Sequence, residues 1–262
     1  MSTFAMHVAK TGLNSQQIKM QVIANNLANI NTTESKEDQA NFESLLYQIL
    51  RVAGDNTSEN TSLTSGLSVG TGTRLLNTSK LHTQGSLINT GNSLDISIEG
   101  DGFFQVLLPD GRVAYTRSGA FSRNAEGTVT TASGYALQPE ITIPAEAISI
   151  NISSDGIVSV QVPGAVDAEE VGQITLADFP NRQGLQPNGE SMLLETPASG
   201  APIVAAPFEE GMGRTVQGSL ESSNVNVVQE LVDMIETQRA YEVSSKTITS
   251  VDEMMRYLAQ NV

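Results

Sequence analysis

Residues 1 to 33 carry apolar side chains at alternating spacings of three and four, which is the repeat of a helix with one covered face. The seam consists of Met6, Ala9, Leu13, Gln16, Met20, Ile23, Leu27 and Ile30. Beside it runs a polar, mostly uncharged stripe of His7, Lys10, Asn14, Gln17 and Gln21. Solvated helix faces usually carry Glu and Lys, so we interpret this stripe as a second contact surface. An ordinary exposed face that lacks acids is the alternative.

The C-terminal residues repeat the same helical spacing. Their seam consists of Leu231, Met234, Gln238, Tyr241, Ser245, Ile248, Val251, Met255 and Leu258. We expect the N-cap of this helix at Ser222, Ser223 or Asn224, because these side chains accept hydrogen bonds from a first helical turn. At 1.5 Å per residue the two helices would be about 40 and 50 Å long. Helices at opposite ends of a chain pair most simply as an antiparallel coiled coil.

Between the helices the apolar positions alternate with a period of two, as in half-buried strands. The alternating sets are Leu94, Ile96 and Ile98; Phe104, Val106 and Leu108; Ile148, Ile150 and Ile152; and Val158, Val160 and Val162. The segments Pro109-Asp110-Gly111 and Asp155-Gly156 lie between such sets, and Asp-Gly pairs favour tight hairpins. The middle of the chain is therefore predicted to be antiparallel β.

The predicted fold class is α+β. Residues 1–35 and 220–262 would form the antiparallel helical coiled coil, and residues 81–219 a central antiparallel all-β domain. Residues 36–80 would be an extended arm or linker. Gly, Ser, Thr and Asn dominate residues 54–93, a composition that leaves a flexible linker and an arm lying against other surfaces equally open.

Charge and cysteine content narrow the function classes. The chain has 14 Lys and Arg against 29 Asp and Glu, a net charge of −15, which disfavours binding to nucleic acid. Cysteine is absent, so the sequence offers neither a disulfide nor a thiolate metal site. The N-terminal residues do not resemble a cleavable signal, and no apolar run is long enough for membrane insertion.

The sequence indicates no catalytic, cofactor-binding or metal-binding residue. Gly100-Asp101-Gly102 lacks the remainder of a nucleotide-binding motif, and the two histidines, His7 and His82, belong to unrelated segments. The best enzymatic hypothesis is a glycosidase that uses two of the carboxylates Asp95, Glu99 and Asp101. Acids alternating along a strand and its turn are more typical of a solvated face.

Several strings are similar to the signatures of the flagellar rod and hook family. They are Ile23-Ala24-Asn25-Asn26-Leu27-Ala28-Asn29, Leu94-Asp95-Ile96-Ser97-Ile98-Glu99-Gly100-Asp101-Gly102-Phe103-Phe104-Gln105-Val106, Tyr115-Thr116-Arg117-Ser118-Gly119-Ala120-Phe121, Ser223-Asn224-Val225-Asn226, Gln238-Arg239-Ala240-Tyr241-Glu242 and Ser245-Lys246. They cover almost the whole chain in the family's order. Within the family, residues 41–48, the arm and the overall length resemble the distal-rod members.

The resemblance implies a structural subunit that does no chemistry and needs no cofactor. It would be exported unfolded by the flagellar type III apparatus without cleavage and would polymerise with itself into a helical tube that transmits torque. The implied partners are further copies of the chain, proximal rod proteins, the hook protein and the L and P ring proteins. Expected subunit-interface residues are Leu13, Gln16, Met20, Ile23, Asn25, Asn26, Leu27, Asn29, Leu231, Met234, Gln238, Tyr241, Ile248, Met255 and Leu258.

One segment departs from the family pattern. Where the family usually has Gly-Phe, this chain has Glu34-Ser35, followed by Lys36. Glycine would end the helix with a left-handed turn, so we expect either that the helix continues or that the following segment is held less firmly. The alternatives to a distal-rod subunit are another axial protein of the family and, from a different class, a secreted β-rich adhesin or phage-tail component.

Overall fold

A computed structural model describes residues 2–54, 56–58, 61–62, 64–164 and 168–260 of the chain. Contacts divide it into two compact units. The first, which we call the helical unit, consists of Met1–Ala28, Asp38–Lys80 and Asn226–Val262. The second, which we call the β unit, consists of Asn29–Glu37 and Leu81–Val225. The α+β class is confirmed, with terminal helices and a central antiparallel β domain.

Two long helices frame the helical unit. Helix α1 spans Ser2–Ala28 and helix α2 spans Val227–Gln260, and the two helices contact each other. With 27 and 34 residues they are about 40 and 50 Å long, as the heptad spacing predicts. The predicted N-cap of α2 is wrong. Asn226 is the cap, because its Oδ1 accepts hydrogen bonds from the backbone N–H of Val228 at 3.0 Å and of Gln229 at 3.4 Å.

Between Asp38 and Lys80, the described residues form a long antiparallel hairpin, which we call the arm. Its strands are β1 (Asp38–Ser44), β2 (Tyr47–Arg51), β3 (Asn56–Ser58), β4 (Thr61–Ser62), β5 (Leu67–Gly70) and β6 (Thr73–Lys80). Strand β1 pairs with β6, β2 with β5, and β3 with β4. The base of the arm lies on α1, where the hydroxyls of Ser15 and Thr73 are 3.0 Å apart. The sequence pattern did not distinguish this hairpin from a linker.

The β unit consists of short strands joined by turns. They are β7 (Leu87–Asn89), β8 (Ile96–Glu99), β9 (Phe103–Leu107), β10 (Val113–Thr116), β11 (Phe121–Arg123), β12 (Val129–Thr131), β13 (Ala136–Gln138), β14 (Ser149–Ile152), β15 (Ile157–Gln161), β16 (Glu169–Gln173), β17 (Leu176–Asp178), β18 (Gln186–Gly189), β19 (Met192–Leu194), β20 (Ile203–Ala205), β21 (Arg214–Gln217) and β22 (Ser219–Glu221). A single 3₁₀ turn, Arg182–Gly184, lies between β17 and β18.

The strands form one large sheet and three smaller groups. In the large sheet the order is β11-β12-β13-β9-β10-β19-β18, and β17 joins β9 to β20. Strands β14, β15 and β16 form a second sheet, while β8 pairs with β21 and β7 with β22. Every strand pair in the described part of the chain is antiparallel.

The period-two residues of the sequence supply the core of the β unit. Ile96, Ile98 and Phe104 pack in one apolar cluster with Val158 and Val160. Ile148 is an exception, because it precedes β14 and is exposed. Both predicted hairpins form: one joins β9 to β10 and the other joins β14 to β15.

The start of the β unit contradicts both expectations for residues 34 and 35. Helix α1 ends at Ala28, so the expectation that it continues is wrong. Glu34 itself adopts the left-handed conformation with φ of 63°, the role for which the family uses glycine. Its backbone N–H donates to the carbonyl of Glu221 at 2.8 Å, and its side chain is buried. The segment after the helix is therefore firmly held.

We expect Phe104→Ala to lower the free energy of unfolding of the β unit by about 3 to 5 kcal/mol, because the removed ring leaves a cavity. Phe104 is 0% exposed and contacts Phe121 edge to face. The matched control is Phe208→Ala, at a phenylalanine that is 60% exposed, with an expected change within about 0.5 kcal/mol. Urea unfolding followed by circular dichroism measures both. Equal losses would contradict the placement of Phe104 in the core.

Candidate functional site

The predicted seam of α1 is the covered face of that helix. Ile23 is buried, and the other apolar or amide positions of the expected interface are half-buried: Leu13, Gln16, Met20 and Leu27. The neighbouring polar stripe lies fully on the exposed side, at His7, Lys10, Asn14, Gln17 and Gln21. Within the helical unit this stripe therefore makes no buried contact, and it is available to another molecule.

The predicted seam of α2 agrees with the covered face only in the second half of the helix. There Val251 is buried, and Ile248 and Met255 are half-buried, while the side chain of Leu258 lies outside the described residues. In the first half Met234 is half-buried, but Leu231, Gln238 and Tyr241 are exposed.

Apart from Met234, the covered positions in that first half are polar or small. They are Glu230, Asp233, Thr237 and Ala240, of which Glu230 and Thr237 are buried. The inward position of Glu230 turns Leu231, the next residue, by about 100° around the helix axis and into solvent. A search for apolar heptads misses this arrangement because the residue that turns inward is an acid.

Asn26 joins three elements of the helical unit. Its Nδ2 donates to the Glu230 Oε1 of α2 at 3.0 Å and to the backbone carbonyl of Asp38 in β1 at 2.9 Å. Its Oδ1 accepts the backbone N–H of Asp38 at 2.9 Å. The side chain is buried, so these bonds replace water that cannot reach it. Sequence reasoning selected Asn26 but missed both of its partners.

The other two expected asparagines are placed differently. Asn25 is exposed, and its Nδ2 lies 3.3 Å from Asp38 Oδ2. Asn29 is half-buried and belongs to the first segment of the β unit. The three amides of this signature therefore differ in burial, and the structure buries only Asn26 among them.

Helix α2 exposes a long apolar surface, which we call the α2 apolar face. It consists of Val228, Leu231, Val232, Ile235, Val243, Met254 and Tyr257, all of which are exposed. Ile235, for example, is 52% exposed. Exposed apolar patches of this extent on a folded chain mark sites of interaction with another surface.

The arm exposes a second apolar surface. Strands β2 and β5 and the residues beside them carry Leu46, Tyr47, Ile49, Leu50, Val52 and Leu67, of which Leu46 is 89% exposed. A two-stranded hairpin has no core of its own, so it gains most when its side chains are covered by something else. The arm and α2 are thus the two uncovered apolar regions of the helical unit.

The β unit contains a buried ionic cluster around Glu221. The Oε1 of Glu221 accepts Lys36 Nζ at 2.6 Å and the backbone N–H of Gly85 at 2.8 Å, and its Oε2 accepts Arg117 Nε at 3.0 Å. Lys36 also donates to the carbonyl of Thr83 at 2.9 Å. Burial opposes ionisation of Glu221, but Arg117 and Lys36 outweigh it and hold the pKa of this carboxyl below its ordinary value.

Glu34 lies at the edge of this cluster. Its Oε1 accepts the backbone N–H of Gly119 at 3.1 Å. Burial raises the pKa of Glu34 above its ordinary value, and the neighbouring carboxylate of Glu221 acts in the same direction, against the hydrogen bond from Gly119. Burial likewise lowers the pKa of Lys36, against its hydrogen bond to Glu221.

The carboxylates of the glycosidase hypothesis each have structural partners. Asp95 accepts hydrogen bonds from Thr90 at 2.6 Å and Asn92 at 2.9 Å, and Glu99 pairs with Arg214. Asp101 pairs with Arg182 at 2.6 Å, which holds the pKa of Asp101 below its ordinary value. Carboxylates in turns and on surfaces typically have such partners, whereas the acid and base of a glycosidase would face a substrate.

Across the described ranges, no three His, Asp or Glu side chains are grouped as metal ligands. Neither described helix combines the length and the hydropathy of a membrane span.

Three family models match the chain. Residues 6–34 match the model described as "Flagella basal body rod protein", and residues 97–160 match "Flagellar hook protein FlgE/F/G D1 domain". Residues 216–261 match "Flagellar basal body rod FlgEFG protein C-terminal". The matched segments contain most of α1, the centre of the β unit and nearly all of α2.

Full-length relatives are similar throughout. The chain is 50% identical over 256 residues to the flagellar basal-body rod protein FlgG of Buchnera aphidicola subsp. Schizaphis graminum, covering 98% of each chain. It is 44% identical over 259 residues to FlgG of Agrobacterium fabrum, covering 98% of this chain and 99% of that protein. FlgG of Bacillus subtilis is 35% identical over 257 residues, with 95% of each chain covered.

We expect Asn26→Ala to destabilise the helical unit by about 1 to 3 kcal/mol, because the substitution leaves the buried backbone groups of Asp38 without their partner. Asn25→Ala, at the exposed neighbour, is the control and should cost less than about 1 kcal/mol. Thermal unfolding followed by the helical circular dichroism signal compares the two. A larger loss in Asn25→Ala would contradict the assignment of the buried role to Asn26.

Proposed function

The chain belongs to the FlgG family of flagellar basal-body rod proteins, as its signature strings predict, and from this premise we propose that it is the structural subunit of the distal rod. In this proposal the chain polymerises with itself into a rigid helical tube that transmits torque from the motor to the hook. The observation that carries the proposal is the uncovered apolar surface of α2. The chain acts by packing and performs no catalysis.

The terminal helices would form an antiparallel coiled coil within each subunit. The hydrogen bond between Asn26 and Glu230 supports this arrangement, because it joins the last turn of α1 to the first turn of α2. Antiparallel pairing brings the end of α1 next to the start of α2, as this contact requires. Helix α1 has Lys10 and Lys19 but no acid, while residues 225–262 carry six acids and three bases, so the charges also favour pairing.

The α2 apolar face would be covered by neighbouring subunits. A contact that joins different surfaces of successive copies propagates as a helix when the rotation between copies does not close a ring. Covering apolar side chains contributes about 25 cal/mol per Å² of apolar area, so repeated burial of Leu231, Val232 and Ile235 stabilises a polymer over a free chain. In a lone chain this face of α2 would stay exposed to water.

The polar stripe of α1 would provide the second contact between subunits. If neighbouring subunits packed in the wrong register, these amides would be buried without hydrogen-bond partners, at a cost of about 1 to 3 kcal/mol each. Gln16, Asn25, Asn29 and Gln238 are half-buried or exposed in the single chain and are the residues that we expect to fix register. Asn26 acts differently, because its partners are within its own subunit.

The arm would lie against adjacent subunits and stiffen the tube. The exposed Leu46, Tyr47 and Leu50 support this role, because the hairpin leaves them in water. We propose proximal rod proteins, the hook protein and the L and P ring proteins as the further partners. We also propose export by the flagellar type III apparatus without a cleaved signal, followed by assembly in the basal body where the rod crosses the periplasm.

We expect Leu231→Glu to prevent tube formation while the free chain keeps its unfolding temperature, because a charge at this exposed position costs little until a neighbour covers it. Electron microscopy and sedimentation of the concentrated purified chain measure assembly. Ile148→Glu makes the same change at an exposed isoleucine of the β unit and should still assemble. Normal tubes from Leu231→Glu would contradict the proposed interface.

Immunolabelling of purified basal bodies tests where along the rod this chain is located. A distal-rod subunit should be found between the proximal rod and the hook when basal bodies are purified and labelled with an antibody to the arm. Label within the hook or next to the motor would instead assign the chain to another member of the axial family.

A further inference from the structure

We propose that Glu34 is a proton-operated anchor, which holds residues 29–37 against the rest of the β unit more firmly when its carboxyl group is protonated than when it is ionised. The inference concerns the single folded chain and goes beyond the proposed structural role. It rests on the backbone conformation of Glu34, on the hydrogen-bond donors around its carboxyl group and on the ion pairs that Lys36 and Arg117 make with Glu221.

The backbone places the Glu34 side chain inside the β unit. With φ of 63° the residue adopts a conformation that L-amino acids seldom take, and the hydrogen bond from its N–H to the Glu221 carbonyl holds it there. The side chain is 5% exposed. Gly119 presents the N–H that meets the carboxyl group, and a Cβ at Gly119 would stand 1.6 Å from the carbonyl oxygen of Ile96.

The nearby positive charges are committed to Glu221. Lys36 and Arg117 both pair with that carboxylate, and Arg117 also donates to the carbonyls of Gly100 at 2.9 Å and Gly102 at 2.7 Å. Among the residues that the structure describes, no ion pair includes Glu34. An ionised Glu34 is therefore a buried carboxylate beside a second carboxylate, without a direct counter-ion.

Thr33, Ser118 and Gly119 place polar groups beside the Glu34 carboxyl group, and Gly119 does so through its backbone N–H. His82, Asp101 and Arg182 line a small cavity together with Lys36 and Arg117. Arg182 is paired with Asp101 and Asp178, so its charge is balanced within its own group. The imidazole of His82 is the remaining titratable group that lines this cavity.

The direction of the effect follows from the two acids. Burial raises the pKa of Glu34, so its contribution to stability is complete below the ordinary value of 4.5 and is lost as the pH rises through the higher folded value. The pKa of Glu221 is lowered, so its contribution is present above 4.5 and is lost only at more acidic pH. Between the ordinary value of 4.5 and its raised folded value, Glu34 is thus the acid of this pair whose ionisation weakens the anchor as the pH rises.

The segment concerned connects the first two of the three segments of the helical unit. Residues 29–37 follow α1 and precede β1, while Glu221 and Asn224 precede α2. Asn224 Oδ1 accepts the backbone N–H of Glu37 at 2.8 Å, and Leu81 N–H donates to the Glu37 carbonyl at 2.9 Å. Loosening at Glu34 would therefore release the chain segment that emerges from α1.

Hydrogen exchange of residues 29–37 tests the proposal on the full chain under conditions where it is monomeric. Wild type is compared with Glu34→Gln from about pH 5 to about pH 8, since glutamine keeps an acceptor for Gly119 and does not ionise. The ratio of the two exchange rates cancels the intrinsic effect of pH. We expect wild type to exchange progressively faster than the variant as the pH rises, by at most about tenfold per pH unit for one proton.

A ratio that does not change with pH would overturn the proposal. A ratio whose pH dependence disappears in His82→Gln would also overturn it, because the imidazole would then be the titrating group. If glutamine at position 34 disturbs the β unit, Glu34→Gly replaces it, since glycine adopts the same backbone conformation and carries no proton. The glycine variant must likewise lack the wild-type change of exchange with pH, and retention of that change would count against Glu34.

Discussion

The buried carboxylate of Glu221 is the interaction on which the connections of the chain depend. It accepts hydrogen bonds from Lys36, Gly85 and Arg117, residues that are far apart in sequence. Removing one member of such a set leaves an uncompensated buried charge, which typically costs about 3 to 5 kcal/mol. The cluster thus joins the segment that follows α1 to the strand that precedes α2 within the β unit.

The two units solve the problem of burial in different ways. The β unit encloses Phe104, Leu137, Ile141 and Leu176 completely with its own strands, so it has a core like that of an ordinary domain. The helical unit buries Ile23 and Val251 but leaves the α2 apolar face and much of the arm uncovered. A subunit built in this way is stable where its own residues suffice, and its helices and arm gain stability from other copies.

The fold class could be predicted because each local pattern has a single interpretation: heptads at Met20 and Ile23 give a helix, and alternation at Ile96 and Ile98 gives a strand. The covered face of the first half of α2 could not be predicted, since it depends on Glu230. The inward position of Glu230 is set by its hydrogen bond with Asn26, which lies near the other end of the chain. The arm escaped prediction because its Gly, Ser and Thr residues fit a linker as well as a hairpin. Glu34 escaped for a similar reason: its left-handed backbone is stabilised by Glu221 and Gly119, and such long-range partners leave no local signal.

The division of the sequence between the two units has a consequence for the order of folding. The β unit draws almost all its residues from the continuous stretch Leu81–Val225, whereas the helical unit combines Met1–Ala28, Asp38–Lys80 and Asn226–Val262. Contacts between such distant segments require closure of a long loop, and they form late. A chain that emerges N-terminus first from a ribosome or a narrow channel therefore has no complete helical unit until its last residues arrive. Helix α2 pairs with α1, and presents its apolar face as a paired helix, only after synthesis or passage is complete.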